Sequence, residues 1–280
     1  MSGFDGRTCV VTGAGGGIGR ALALGLASRG ARLAISDVNG DGLDETRRRI
    51  EQIGAQTHAA HLDVADRDAF AAYADDVATH FGTVNQVYNN AGVWLARSIL
   101  DSEFEDFERV WAVDLWGVVH GTKLFLPHLI ASGEGHVINV SSINGILAQG
   151  DTSHYCAAKF AVRGFTESLR QELKAAGHPV RALSVHPGGV NTGIASSALH
   201  EAIEEGGELS ARDRRLERLY NEVILRMRPD RAAEVILRAV ERDKERVLVG
   251  TDAKLIDLAV RAAPTLTLAA TGKLLNRLWR

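Results

Sequence analysis

Tyr155 and Lys159 stand four residues apart in SHYCAAKF, a stretch that predicts the start of a helix, so both side chains fall on one helix face. A phenol with a pKa near 10 is a poor base at pH 7. Moving it by about three units corresponds to roughly 4 kcal/mol of preferential phenolate stabilisation, and a neighbouring ammonium acts in that direction. A serine hydroxyl brought alongside would hydrogen-bond the same substrate oxygen. Taken alone, such a pair is more often a solvated surface pair, so the rest of the chain has to decide.

A second constellation opens the chain, in TGAGGGIGRALALGLA at 12–27. Gly13, Gly17 and Gly19 suit a turn whose torsions side chains forbid, a backbone that phosphates approach closely, and a helix N-terminus that offers amides and a positive dipole end to a pyrophosphate. A tight strand–helix turn without a ligand would look similar. Eighteen residues after Gly19 comes Asp37, at the end of the second predicted strand. A carboxylate there can accept from both adenosine ribose hydroxyls and repels a 2′-phosphate. Neither Val38 nor Gly16 supplies an arginine or lysine for that phosphate, which favours NAD over NADP. The competing reading of Asp37 is an ordinary exposed acid at a strand end.

These residues need a scaffold, and the pattern of the chain describes one. Thr8–Thr12, Arg32–Ser36, a segment ending at Leu62, Val84–Tyr88, His136–Val140, Val180–Val185 and Arg246–Val249 read as seven strands. Helical periodicity lies between them: Phe70, Tyr73, Ala74, Val77 and Phe81 form one apolar stripe. Apolar strands alternating with helices make a doubly wound α/β fold of the Rossmann type, with a seven-stranded parallel sheet covered on both faces. Such sheets bind ligands at the carboxyl ends of their strands. A single domain over 1–250 is expected, interrupted by a charge-dense segment at 191–229 and followed by an extension at 251–280.

Composition agrees and narrows the partners. The 280 residues are 45% hydrophobic and 24% charged, within the ordinary globular range. A net charge of −3 offers no field for holding nucleic acid. Of 29 glycines, nine fall in the first 30 residues, so the excess belongs to the loop described above. Cys9 and Cys156 read as reduced, packed thiols. With no signal peptide or membrane span evident in the sequence, a cytoplasmic location is expected. No His, Cys or carboxylate cluster has metal-ligand spacing, so no metal is expected.

The conjunction resembles the short-chain dehydrogenase/reductase family, in the branch with a short glycine motif and a Tyr-x-x-x-Lys pair, over about residues 5–250. TGAGGGIG at 12–19 matches the nucleotide loop, which implies cofactor contacts from Gly13, Gly15, Gly17, Ile18 and Gly19. Asp63 of LDV, with Val64 beside it, matches the acid that contacts adenine. NNAG at 89–92, with Asn90, Ala91 and Gly92, matches the motif that supports the sheet and passes the cofactor ribose. In PGGVNT, Pro187 and Gly188 open the loop after the sixth strand, and Val190 and Thr192 would bind the nicotinamide carboxamide.

What the resemblance implies is hydride transfer between a nicotinamide and an alcohol or ketone carbon. Ser142, thirteen residues before Tyr155, takes the role of the catalytic serine in preference to Ser141. Lys159 would bind the nicotinamide ribose and lower the pKa of Tyr155. Asp114, in WAVDLWGVVHGT, stands where the family usually has asparagine; it can accept from water but cannot donate when ionised, and a proton relay with a shifted pH optimum is expected.

Other expectations are less specific. Trp94, Leu95, Ile143, Leu147 and Ile194 follow strand ends and suggest a hydrophobic substrate. His154 and His186 flank the site as substrate contacts or polar lining. The 191–229 segment reads as a substrate-covering lid or a solvated helix pair. The tail at 265–280 reads as an oligomer contact, a cover for the cleft, or an interfacial helix touching a membrane. The resemblance implies a homodimer or homotetramer, and the alternative to an enzyme is a dinucleotide-binding regulatory or scaffold protein.

Overall fold

The computed structural model describes residues 3–193 and 225–279, the side chains of 274–279 apart. Seven strands form one sheet: β1 Thr8–Thr12, β2 Arg32–Asp37, β3 Thr57–His61, β4 Gln86–Asn89, β5 Gly135–Val140, β6 Val180–Pro187 and β7 Arg246–Val249. All neighbours pair in parallel, in the order β3-β2-β1-β4-β5-β6-β7. The chain starts near the middle, winds outward one way to β3, crosses back, and winds the other way to β7. The crevice between β1 and β4 is therefore the point where the winding reverses.

Pleat alternation explains the two layers of helix. Cys9, Val11, Leu33 and Ile35 point to one face and meet α1 (Gly17–Ala27), α2 (Gly40–Ile53) and α7 (Pro229–Glu241), where Leu22, Leu26, Ile50, Ile236 and Leu237 are buried. Val10, Ala34, Val87 and Val137 point to the other face. They meet α3 (Arg67–Phe81), α5 (Gly117–Ala131) and α6 (Ser153–Ala175) through Phe70, Val77, Phe125, Leu129 and Leu169. The stripe expected on Phe70, Tyr73, Ala74, Val77 and Phe81 is the buried face of α3.

β3 departs from the expected apolar run. Its THAAH sequence is only partly buried because it is an edge strand with one neighbour, so alternation there is weak. Strand ends also move: β4 begins at Gln86, not Val84, and β6 continues to Pro187.

A polar seam crosses the second layer. Asn89 of β4 donates to Asn139 Oδ1 of β5 at 2.8 Å and to Thr122 Oγ1 of α5 at 3.1 Å, and Asn139 donates to Thr166 Oγ1 of α6 at 3.0 Å. All four are buried. Buried polar networks favour one arrangement in space, and this one, in which only Asn89 Oδ1 lacks a partner, ties α6, which carries Tyr155 and Lys159, to the centre of the sheet.

Helix α4 (Phe104–Trp111) runs into a π-turn at Ala112–Trp116 before α5. Asp114 lies in that turn, and its side chain is fully buried. After β7, α8 (Thr251–Ala262) and α9 (Pro264–Trp279) follow as a helical pair. Among the described residues, no helix is long and apolar enough to cross a membrane.

Candidate active site

The carboxyl ends of β1, β2, β4, β5 and β6 open onto one cleft of about 770 Å³. At its β1 end the chain turns through Gly13 at φ +66°, where a Cβ would lie 2.7 Å from Ala91 Cα. Gly19 in turn packs against the Gly13 carbonyl with no room for a side chain. The glycines are thus demanded first by the protein's own packing. Gly16, in extended conformation, has open space where its Cβ would be, and α1 starts behind it with no side-chain cap. First-turn amides of a helix in that state suit an anion.

Asp37 closes the other side of this loop. Its Oδ2 accepts from the Gly15 N–H at 2.7 Å and its Oδ1 from the Asn39 N–H at 2.8 Å. A carboxylate has further lone pairs, which leaves acceptor capacity toward the cleft that Asp37 lines. Arg20, which the motif reading passed over, hydrogen-bonds the Gly15 carbonyl, the Gly42 carbonyl at 3.0 Å and Thr46 Oγ1 at 2.9 Å. Its guanidinium is committed to holding the loop.

Thr12, also unflagged, joins β1 to the NNAG segment. Its hydroxyl oxygen accepts from the Asn90 and Ala91 amides, both at 3.1 Å, while the Asn90 side chain donates to the Thr12 carbonyl at 3.0 Å and the Gly13 carbonyl at 3.2 Å. A hydroxyl on the last residue of a strand that opens a ligand turn is the signal that could have found it.

Ser142, Tyr155 and Lys159 all line the cleft. Ser142 Oγ accepts from the Asn144 N–H at 3.1 Å as the cap of a short 3₁₀ turn. Ser141 instead turns inward and donates to the Lys159 carbonyl at 2.8 Å. Lys159 is 3% exposed. Its Nζ lies 3.4 Å from the Val140 carbonyl, 3.4 Å from Asp114 Oδ1 and 5.5 Å from the Tyr155 ring centre. Asp114 Oδ1 also accepts from the Val93 N–H at 2.9 Å, and its buried Oδ2 has no hydrogen-bond partner. Burial pushes the Asp114 carboxyl above the usual carboxylate range, against the opposing pull of Lys159 and the Val93 amide.

The cleft brings together Gly13, Gly15, Gly17, Ile18, Asp37, Asp63, Val64, Asn90, Ala91, Gly92, Pro187, Gly188, Val190 and Thr192 with that group. Gly19 and Asp114 stand behind its wall. Trp94, Ile143 and Leu147 line it, whereas Leu95 is buried away from it. Ile194 and most of the expected lid, 194–224, lie outside the described residues. Ile256 of α8 and Thr271 of α9 line the cleft as well, so the extension contributes to its wall.

Neither flanking histidine lines it. His186 is fully buried, with Nδ1 3.1 Å from the Ser142 carbonyl and Nε2 2.9 Å from Ser184 Oγ. Since a carbonyl only accepts, Nδ1 carries the proton and Ser184 donates to Nε2. Burial lowers the His186 pKa to about 4, so the ring is a neutral brace under Ser142. His154 is also buried, and its Nδ1 accepts from the Tyr155 N–H at 2.9 Å. Both act through neighbours, a role that side-chain type alone does not reveal. Among the described residues no group of three or more His, Cys, Asp or Glu is placed to hold a metal.

Fold and cleft together define an oxidoreductase built on a dinucleotide-binding sheet. Residues 7–202 match the model of the short chain dehydrogenase family. SadH of Mycobacterium tuberculosis, provisionally assigned as an oxidoreductase, is 49% identical over 261 residues, which is 93% of this chain and 92% of SadH. Meso-2,3-butanediol dehydrogenase of Serratia marcescens is 33% identical over 214 residues, 76% of this chain and 83% of that one. A short chain dehydrogenase/reductase from Burkholderia phymatum, solved in complex with NAD, superposes with a TM-score of 0.84 at 30% identity, covering 94% of this chain and 96% of that one. The chain belongs to the short-chain dehydrogenase/reductase family.

Proposed function

We propose that the protein is an NAD-dependent oxidoreductase that interconverts a secondary alcohol and a ketone on a hydrophobic substrate. The observation that carries this reading is the placement of Tyr155, Lys159 and Ser142 in one cleft with the Asp37–Gly15 hydrogen bond. The NAD-bound structural relative and the butanediol dehydrogenase support it.

The residues present fit a dinucleotide. Gly13, Gly15, Gly17 and Ile18 would hold the pyrophosphate, with Gly19 behind them allowing the close packing of the loop, Asp37 would hold the adenosine ribose, and Asp63 and Val64 the adenine. Asn90, Ala91 and Gly92 would pass the ribose, and Pro187, Gly188, Val190 and Thr192 would hold the carboxamide. Bound NAD supplies the hydride acceptor.

The chain supplies proton handling and orientation. Tyr155 takes the hydroxyl proton of the alcohol as it is oxidised and returns it in the reverse direction. Lys159, buried beside it, favours the phenolate over the phenol and would hold the nicotinamide ribose hydroxyls. Ser142 donates to the substrate oxygen and stabilises the charge that develops there. Trp94, Val113, Ile143, Leu147 and Ile256 make the substrate end largely apolar.

Purified protein incubated with NAD or NADP and a panel of steroid, terpene and aliphatic secondary alcohols tests the reading through absorbance of the reduced nicotinamide. Turnover with NAD preferred is the expected result. Tight NAD binding with no turnover across the panel points instead to the regulatory or scaffold role. A homodimer or homotetramer through the α5 and α6 side is part of the same proposal, because Trp116 and Phe160 are large and exposed there, at 54% and 41%. Trp116→Glu or Phe160→Glu is expected to lower the mass found by sedimentation.

A further inference from the structure

The structure assigns to Asp252, in the first turn of α8, the task of positioning the loop at 187–192 against the nicotinamide half of the cofactor. This rests on the reading above that the loop faces the nicotinamide.

An acid in the first turn of a helix has a simpler role available, since it favours the helix dipole. The geometry around Asp252 goes beyond that. Its Oδ2 accepts from the Gly189 N–H at 2.7 Å, across 63 residues of sequence. Two glycines make room for the carboxylate. A Cβ on Gly188 would run into Oδ2, and one on Gly250, which sits at φ +112°, would run into Oδ1. Asp252 itself lines the cleft, beside Pro187, Gly188, Gly189 and Val190.

The neighbouring backbone bonds show what that contact controls. The Gly188 N–H donates to the Val249 carbonyl at 2.9 Å, and the Gly189 carbonyl accepts from the Met227 N–H at 3.0 Å. Asp252 holds the Gly189 N–H at this corner and so orients the plane of the 188–189 peptide. Val190 and Thr192 follow within three residues and face the cleft, so their approach is set by that plane together with the Val190–Met227 bridge and the Asn191 N–H bond to the Met227 carbonyl. A hydrogen bond to a charged acceptor contributes more than a neutral one, and no other described side chain hydrogen-bonds this amide. Ile256, one turn further along α8, lines the same cleft. The extension is thereby joined to the nicotinamide end of the site through its first turn.

Two ligands separate positioning from general damage. NADH reports on the whole cofactor site, and ADP-ribose, which lacks the nicotinamide, reports on the other half. Asp252→Ala is expected to weaken NADH binding, read by fluorescence of the reduced ring, about tenfold. ADP-ribose binding, read by calorimetry, is expected to stay within about twofold. Asp252→Asn keeps an acceptor for Gly189 and is expected to hold NADH close to the wild-type affinity. Gly188→Ala is expected to weaken NADH as well, and to cost less in the Asp252→Ala background, where the colliding carboxylate is gone. Unchanged NADH affinity in Asp252→Ala overturns the proposal. So does a parallel loss of both ligands, which would make Asp252 a general scaffold residue. If the wild-type protein binds neither ligand, the cofactor reading itself fails.

Discussion

Asp114 Oδ1 and Lys159 Nζ lie 3.4 Å apart, both buried, with the second Asp114 oxygen lacking any hydrogen-bond partner. An asparagine at this place would present the lysine with a neutral dipole. On the mechanism proposed above, an ionised Asp114 would offset the ammonium and so weaken the help Lys159 gives to a Tyr155 phenolate.

The sign of the effect on pH dependence follows. Ionised Asp114 neutralises part of the Lys159 field, so proton loss from Tyr155 moves to higher pH than it would with a neutral partner. Asp114→Asn removes that charge. The acidic limb of the pH–rate profile for alcohol oxidation is expected to move to lower pH in the variant, with NADH affinity retained. Because burial raises the Asp114 carboxyl, the two profiles should converge toward acid as the wild-type carboxyl protonates. Superimposable profiles would sink this account.

Tyr155→Phe separates binding from chemistry. The ring and its contact with Lys159 are kept while the proton-transferring hydroxyl is lost. Turnover is expected to fall by a factor of about 10² to 10⁴, the usual span for removing a general acid–base group. NADH affinity is expected to change little. Single-turnover kinetics and fluorescence titration read the two quantities, and a variant that keeps most of its kcat would remove Tyr155 from its role.

Asp37 is expected to set cofactor choice. Asp37→Ser removes the charge that would repel a 2′-phosphate, together with the strong acceptor for the Gly15 N–H. The ratio of kcat/KM for NAD to that for NADP is expected to fall by at least about tenfold. Asp37→Asn retains an acceptor for Gly15 and isolates the contribution of charge. An unchanged ratio in both variants would show that selectivity lies elsewhere.

How much of this was legible in the sequence depended on how local each signal was. Tyr155 and Lys159 share a helix turn, and the glycines of the nucleotide loop lie within seven residues of one another, so spacing offered both as candidates and their conjunction, with the family resemblance, singled them out. The seven strands were legible as short runs between helices, β3 least clearly because an edge strand has little reason to be apolar, while their order in the sheet was not read from the sequence. Contacts between distant segments were not legible. Asp252 meets Gly189 and His186 meets Ser142 across 63 and 44 residues, and no periodicity encodes such pairs. His186 shows the difficulty well. Beside a predicted site its residue type suggested polar lining or contact with substrate, whereas burial and the Ser142 carbonyl make it a brace.

That brace gives a stability prediction with a defined window. In the unfolded chain an imidazole takes up its proton near pH 6.5, whereas folded His186 resists protonation down to about 4. Between those values the unfolded state binds more protons, so stability falls as pH falls. Above 6.5 the contribution is complete. Urea denaturation from pH 7.5 to 4 is expected to show this loss in the wild type, and a shallower one in His186→Gln, whose amide can still donate to Ser142 but takes up no proton. Equal slopes for the two proteins would assign the acid sensitivity to other groups.

The two adjacent serines provide the sharpest contrast between chemistry and scaffold. Ser141 donates to the Lys159 carbonyl inside α6, and Ser142 lines the cleft with its hydroxyl at the end of β5. Ser142→Ala is expected to lower kcat by about 10²-fold or more, the scale of losing one donor to a developing oxyanion, with little change in unfolding midpoint. Ser141→Ala breaks a buried hydrogen bond that holds the helix bearing Tyr155, and is expected to cost about 1 to 3 kcal/mol of stability while the kcat of the folded fraction falls far less. Urea denaturation and steady-state kinetics on both variants read the two effects independently. The reverse pattern, with Ser141 carrying the catalytic loss, would require the β5 end to turn by one residue from the register in which Val140 pairs with Val185.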